Sequence, residues 1–462
     1  IIDPHGDFAI NNMKFIPGSR LNDVVYFNPA DTAYPLGFNP LEVTNPNQKT
    51  NISSEVIGVL KRMFGDSWGP RLEYILRYTI LALLDRPETT MLDITRMLTD
   101  KNFRKETLGY CRDTVVLQFW NVEFASWNDK FVAEAVAPVL NKVGAFTANP
   151  IIRNIIGQPK STFNIRQIMD EGRILIVNLS KGLIGEDNAA ILGSFLVTKI
   201  QLAAMSRSDI PDIRDRRPFY LYVDEFQNFA TDSFATILSE ARKYGLNLTV
   251  ANQYISQMNE TVRDAVFGNV GTMISFRVSA DDAPILAKQF EPNFEALDLL
   301  QMHNRNFVIN MVIGGEKTPA FSARTLELPP SQADNTPHII EHSRRMYSRN
   351  REDVEREITA AIMPNHRPKN QPAQPRPQAV AAAALAQPVK KAASQSQPAQ
   401  KTNSAANAQP ATPQAATNSG EVVLQIRGNN TLDKPADSTD PAAATAPKKR
   451  RRRRKKSTAV TT

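Results

Sequence analysis

The run Leu221-Tyr-Val-Asp-Glu-Phe-Gln-Asn-Phe229 places two adjacent carboxylates, Asp224 and Glu225, at the end of an apolar stretch of strand character. That pairing suits phosphoryl transfer. The first carboxylate, Asp224, would hold the water shell of Mg2+, and the second, Glu225, would orient and polarise the attacking water. A bare apolar-Asp-Glu string fits an ordinary buried strand and a solvated acidic turn equally well, so its context decides. Further on, Gly245-Leu-Asn-Leu-Thr-Val-Ala-Asn-Gln253 reads as a second apolar strand, ending in an amide placed to contact a γ-phosphate or the lytic water. Ligands of doubly wound sheets sit at the C-terminal ends of the strands, which puts Asp224, Glu225 and Gln253 on one edge.

An acidic pair of this kind is the Walker B half of a P-loop NTPase site. The other half, a Gly-x-x-x-x-Gly-Lys-Ser/Thr loop whose amides and Lys cradle phosphates, does not occur in the 462 residues. The chain opens on Ile1-Ile-Asp-Pro-His-Gly-Asp7, the end of a strand and a turn, so the P-loop strand and helix are expected upstream of Ile1.

Several elements must position these residues. Asp23–Phe27 and Arg173–Leu179 read as strands, Asn188–Met205 as an amphipathic helix, and Thr272–Phe276 and Phe307–Ile313 as later strands. Gly314-Gly315 reads as a hairpin turn into Thr318–Arg324, which would add an antiparallel edge to the sheet. Alternating strand and helix predict an α/β core with a mostly parallel sheet. From Ile52 to about Val143 the pattern is helical instead, with Leu72, Ile75, Leu76, Thr79, Ile80 and Leu83 on one face. The expected organisation is NTPase core over residues 1–50, an all-α insertion over 51–160, core with the Asp224 strand over 161–330, and a C-terminal helix over 331–364. That helix, Ser343–Met363, carries the i,i+4 pair Arg351–Glu355. Residues 365–462 are rich in Ala, Pro and Gln with almost no aromatics, a composition expected to be disordered.

Asp3-Pro-His-Gly-Asp7, Phe38-Asn-Pro-Leu41, Trp68-Gly-Pro-Arg71, Asp224-Glu-Phe-Gln227 and Glu240-Ala-Arg-Lys-Tyr-Gly245 running into Gln253, taken in order, resemble the type IV coupling proteins. These are the TraG/TraD-type ATPases of conjugation, in the HerA/FtsK class of ring-shaped DNA pumps. The resemblance covers residues 1 to 330, and His5 stands where the family's turn has Lys. It implies a RecA-like fold, ATP and Mg2+ as cofactors, a nucleotide near Asp3, and a homo-hexamer. It also implies DNA, a relaxase or other secreted protein, and type IV secretion channel components as partners, at the cytoplasmic face of a bacterial inner membrane. Membrane contact would come from segments not in this chain. Ring ATPases complete a site with a cation from the next subunit; Arg242 and Arg277 are the candidates, a surface ion-pairing role being the commoner reading of each. Tyr244, Phe226 and Phe229 read as packing residues rather than base-stacking platforms. The alternatives are a HerA/FtsK-like translocase on double-stranded DNA and a non-hydrolysing scaffold that recruits cargo; a scaffold has no need of Glu225.

Hydrophobic residues make up 42% of the chain, enough for a sizeable core, and the single cysteine, Cys111, excludes a disulfide framework and fits a reducing compartment. No uninterrupted apolar run reaches the length of a bilayer span. The net charge of +8 is unevenly distributed: the basic run Lys448, Lys449, Arg450, Arg451, Arg452, Arg453, Arg454, Lys455 and Lys456, with an excess of four basic residues between 366 and 447, leaves the first 365 residues at −5. Affinity for nucleic acid from overall charge therefore belongs to that run, and in the body it would need a local patch or a ring-shaped pore.

Overall fold

The computed structural model describes residues 1–331 and 333–363. Five parallel strands form its central sheet: β1 (Ile2–Asp3), β2 (Val24–Phe27), β3 (Ile174–Asn178), β4 (Phe219–Val223) and β5 (Leu246–Val250), in the order β2-β3-β1-β4-β5. Short β-branched and aromatic runs such as Val24-Val-Tyr-Phe27 become strands because both faces are covered, and all four of these residues are buried. The two-residue β1 is central, with Ile2 opposite Val177 on one side and Val223 on the other. Since every strand runs the same way, Asp3, Asn178 and Asp224 leave the sheet at one edge.

After β1, helix α1 (Asp7–Met13) begins at once; after β2, a loop leads into an extended helical segment. There α2 (Lys49–Phe64) buries Ile52, Val56, Ile57, Val59 and Leu60 and stops at Gly65, whose φ of +45° favours glycine. Helix α3 (Pro70–Asp85) starts with Pro at its first position, where a missing N–H costs nothing. It buries the face expected from its periodicity, Leu72, Ile75, Leu76, Thr79, Ile80 and Leu83, along with Ala82 and Leu84. Further helices, including Asp129–Thr147 and Pro150–Ile156, complete the segment, and among the described residues no strand interrupts 49–156. The helices and the sheet share one continuous core, running from Val25, Val177 and Val223 through Ile57 and Leu60 to Ile75 and Trp120.

Helix α4 (Glu186–Ser206) packs on α2 and on the turn Phe226–Asn228 that follows β4. One 18-residue window in it has a mean hydropathy of 1.5, apolar enough for a membrane span, but 72% of that window is buried within the protein. The helix expected to be amphipathic is instead buried on most of its sides, as a core position of this kind requires. Helix α5 (Asp232–Glu240) then follows β4 and precedes β5.

Two further expectations are corrected. Strands β6 (Met273–Ser275), β7 (Asn306–Asn310), β8 (Val312–Ile313), β9 (Glu316–Lys317) and β10 (Phe321–Arg324) add no antiparallel edge to the central sheet. The hairpin turn does form at Gly314-Gly315, both at positive φ, and pairs β8 with β9. However, β10 returns onto β7 and β7 also takes β6, giving a separate sheet in the order β10-β7-β6. This unit has its own small core of Ala283, Ala287, Phe290, Leu299, Val308 and Ala320, so its strands satisfy one another rather than the main sheet.

The single C-terminal helix expected over Ser343–Met363 is in fact two, α6 (Thr336–Tyr347) and α7 (Arg351–Ile362). At the break, Ser348 bridges Leu36, Arg349 N donates to Pro35 O (3.1 Å) and Arg351 N donates to Ala33 O (3.1 Å). Asn350 restarts the helix as its N-cap, accepting from Glu352 N at 2.8 Å. Ser343 of α6 accepts from Tyr26 N on β2 (2.9 Å), and Val354 and Ile358 of α7 pack with Leu92 of the helical segment. The Arg351–Glu355 pair is present at 2.7 Å. The expected disordered tail and the basic run Lys448–Lys456 lie outside the described residues.

Candidate active site at the C-terminal edge of the sheet

Asp224 is the first residue past β4. Its N–H donates to Ile2 O (3.0 Å), while the next strand closes from the other side, Ala251 N to Val223 O (3.0 Å) and Phe226 N to Ala251 O (2.9 Å). The backbone is thereby held by both neighbouring strands, and the half-buried side chain is left to the edge. Burial raises its carboxyl above the ordinary carboxylate range; the charges of Glu225 and Asp3 raise it further, against the lowering by the Glu225 backbone and by His5. Like charges gathered on a partly desolvated carboxylate are what a divalent cation relieves. Among the described residues no cluster of three or more His, Cys, Asp or Glu side chains could enclose a metal. One carboxylate with a largely retained water shell fits Mg2+, which dehydrates reluctantly.

Glu225 adopts a left-handed conformation, φ 47° and ψ 46°, immediately before the 3-10 turn Phe226–Asn228. A non-glycine residue held there signals surroundings that enforce it. Phe226 and Phe229, each 1% exposed, anchor the turn in the core, as packing residues should. Phe229 lies directly on α4 at Gly193, where an added Cβ would come within 2.3 Å of its ring. Gln227 Nε2 donates to Glu225 Oε2 (2.5 Å) and to Gln257 Oε1 (3.0 Å), so Gln227 ties the carboxylate down. From below, Arg62 of α2 donates to the carbonyls of Gln227 and Asn228.

Of the residues singled out from sequence, Asp224 and Glu225 are brought together, and Gln253 lies at the same edge beyond β5, exposed. The amides that touch Glu225 or its partner are instead Gln227 and Gln257, which the sequence reading did not assign; the position of Gln227 in the Asp224-Glu-Phe-Gln227 string was the available signal. Asp3 is fully buried, and its oxygens accept from His5 N and Ala9 N, both at 2.8 Å, so it holds its own turn and the start of α1. Arg242 is exposed in the turn entering β5, at the opposite end of that strand from Gln253, and Arg277 is exposed beyond β6 on the second sheet. Among the described residues no hydrogen bond or ion pair joins either arginine to the carboxylates. Tyr244 is half-buried, with the Arg216 guanidinium 6.0 Å from its ring centre.

The other strings have structural explanations. Asn39 is buried and donates to Thr89 O and Pro159 O, both at 2.8 Å, sewing the loop after β2 to the helical segment. Trp68 Nε1 donates to Glu73 Oε2 (2.9 Å), and the Arg71 guanidinium lies 5.1 Å from the Phe131 ring centre. A cavity of about 580 Å3 lies away from this edge: it borders Arg173, which precedes β3, and Lys199, whose ammonium donates to Glu42 O (2.9 Å). Burial pushes Lys199 down to about 8.

Residues 218–289, which contain Asp224, Glu225, Gln253 and Arg277, match the family model described as the TraM recognition site of TraD and TraG. No curated protein matches the chain. Among solved structures, the bacterial conjugative coupling protein TrwBdeltaN70 in its trigonal form with sulphate is 15% identical, with 72% of this chain and 80% of that chain covered and a TM-score of 0.52. Its unbound monoclinic form is 14% identical, covering 72% and 79%, at 0.50. Plasmid coupling protein TrwB in complex with ADP and Mg2+ is 14% identical, covering 72% and 80%, at 0.50. At such identities the likeness speaks for the fold. The chain thus has the RecA-like fold seen in the conjugative coupling proteins, and its residues 218–289 are similar to the TraM recognition site of TraD and TraG.

Proposed function

We propose that this chain belongs to an ATP-hydrolysing motor that delivers DNA, or a DNA–protein relay complex, to a type IV secretion channel. The observation that carries the reading is the Asp224–Glu225 pair at the C-terminal edge of a parallel sheet, with Glu225 clamped by Gln227. Asp224 would hold the water shell of Mg2+, and Glu225 aligns the attacking water and accepts its proton as the bond to phosphorus forms. When bound, Mg2+ spreads the charge of the transferring phosphoryl group. Gln253, from the neighbouring strand, is placed to contact the γ-phosphate or that water. A cation from an adjacent copy in a homo-hexamer, Arg242 or Arg277, would complete the site; exposure of both fits a contribution across an interface. Asp3 contributes the turn beside the nucleotide rather than a metal ligand.

The complex of TrwB with ADP and Mg2+ supports nucleotide and magnesium binding in this fold. The TraM-recognition description of residues 218–289 supports a protein partner, which we take to be a relaxase or other secreted protein met at the cytoplasmic face of an inner membrane. The basic run Lys448–Lys456 supplies non-specific affinity for DNA phosphates. In the assembled protein, Glu225→Gln should keep nucleotide affinity and lose turnover, because the Mg2+-holding carboxylate remains while the water-polarising one does not. Wild-type turnover by this variant removes Glu225 from the mechanism.

A further inference from the structure

Resting on that reading of Glu225, we propose that Arg62 is its positioning residue and makes the hydrolytic turn depend on the helical segment. Arg62 sits in the last turn of α2, which packs on α4 of the sheet layer and on α3 of the helical segment. Its guanidinium crosses to the far side of the Asp224–Asn228 turn: Nη1 donates to Asn228 O (2.6 Å) and reaches Ser194 Oγ on α4 (3.4 Å), and Nη2 donates to Gln227 O. These two carbonyls belong to the residue that grips Glu225 and to its successor. Glu225 itself holds a left-handed backbone, a conformation that persists only when its surroundings enforce it.

The geometry explains why an arginine is needed. The planar fork of a guanidinium presents fixed parallel donors, so it can hold two consecutive carbonyls in one orientation, which a single ammonium donor on a flexible stem does less rigidly. Gln227 is then fixed at both ends, its carbonyl by Arg62 and its amide by Glu225 and Gln257. The carboxylate is reached from α2 in two links, Arg62 to Gln227 and Gln227 to Glu225. A shift or rotation of α2, the helix common to both layers, moves the donor and releases the turn. Engagement of the helical segment by a substrate would act on hydrolysis by this route, without any contact between substrate and carboxylate.

The test uses the assembled protein and two substitutions. Arg62→Met keeps the apolar stem and removes both donors; Arg62→Lys restores one cationic donor. The expected result is a fall in kcat of about tenfold to a hundredfold for Arg62→Met, with KM for ATP and nucleotide affinity within twofold of wild type. Partial recovery in Arg62→Lys, a Tm close to wild type, and a smaller stimulation of turnover by DNA complete the expectation. The proposal is overturned if Arg62→Met keeps kcat within twofold, if kcat falls only together with nucleotide affinity or the folded state, or if the lysine variant is no better than the methionine one. Glu225→Gln measured in parallel separates the two ideas: if it still turns over ATP, the reading of Glu225 fails first, whereas loss of turnover there with a normal Arg62→Met variant overturns the positioning role alone.

Discussion

Two acidic turns leave the same edge of the central sheet, Asp3–Asp7 after β1 and Asp224–Asn228 after β4, and they dispose of their carboxylates in opposite ways. Asp3 is fully buried and spends its oxygens on the amides of His5 and Ala9. The turn it holds is locked against β3 as well: Gly6 has φ +96°, and a Cβ there would lie 2.2 Å from Ser180 Oγ, which itself donates to Asn178 Oδ1 at 2.6 Å. In the second turn the backbone is fixed from outside, by Ile2, Ala251 and Arg62, and the carboxylates remain half-buried at the edge. Acidity at a strand end is therefore not a site in itself. The proposed site is where external contacts hold the backbone so that the carboxylates are left at the edge.

The largest expected effect breaks the comparison if it fails. Asp224→Asn should lower ATP turnover by about 10²- to 10³-fold, the size of loss when one preorganised electrostatic group is removed, while its urea midpoint stays near wild type. Comparable turnover in steady-state assays would mean that the two turns are not functionally distinct. The reverse pattern is expected at β1. Asp3→Ala removes the acceptor from two amides and should cost about 2–4 kcal/mol in chemical denaturation, with nucleotide affinity kept in the fraction that folds; a stable Asp3→Ala that fails to bind nucleotide would make Asp3 a ligand after all.

Gly6→Ala sharpens the structural half of the contrast. It imposes both a clash and a left-handed backbone on a Cβ-bearing residue, a cost of about 1–3 kcal/mol, and Ser180→Gly in the same chain should recover part of it by opening the space. No recovery would assign the loss to backbone strain together with Asn178 Oδ1, which would lie 2.7 Å from the same Cβ. The smallest effect concerns pH. The folded carboxyl of Asp224 is raised, so its contribution to stability is fully present below the unfolded value of about 3.9 and is lost as pH rises through the folded value. Asp224→Asn should remove that declining component from a stability profile taken without Mg2+, starting at about pH 4; an unchanged profile would show that burial and neighbouring charge do not act on this group.

The strand and the placement of its candidate carboxylates were legible along the chain because they depend on local spacing. The run ending in Asp224 and Glu225 reads, with its context, as a strand delivering two carboxylates, and the α3 face from Leu72 to Leu83 follows from 3.6-residue periodicity alone. Parallel order put Asp224 and Gln253 on one edge, as alternating strands and helices require. What tertiary structure decided are the pairings between distant parts of the chain. No periodicity shows that Gln227 and Gln257 are the amides bound to Glu225 or to each other, that Asp3 exhausts itself on its own turn, or that Arg62, far away along the chain, reaches two carbonyls of the turn. The same holds for the second sheet, where β7 offers both edges to β6 and β10, and for the break between α6 and α7, where residues 33–36 take hydrogen bonds from the chain around Asn350. Strand partners and backbone acceptors are chosen by whichever unsatisfied group the fold brings near, and that proximity is a property of the assembled chain, while the strand itself and its carboxylates are written in consecutive residues.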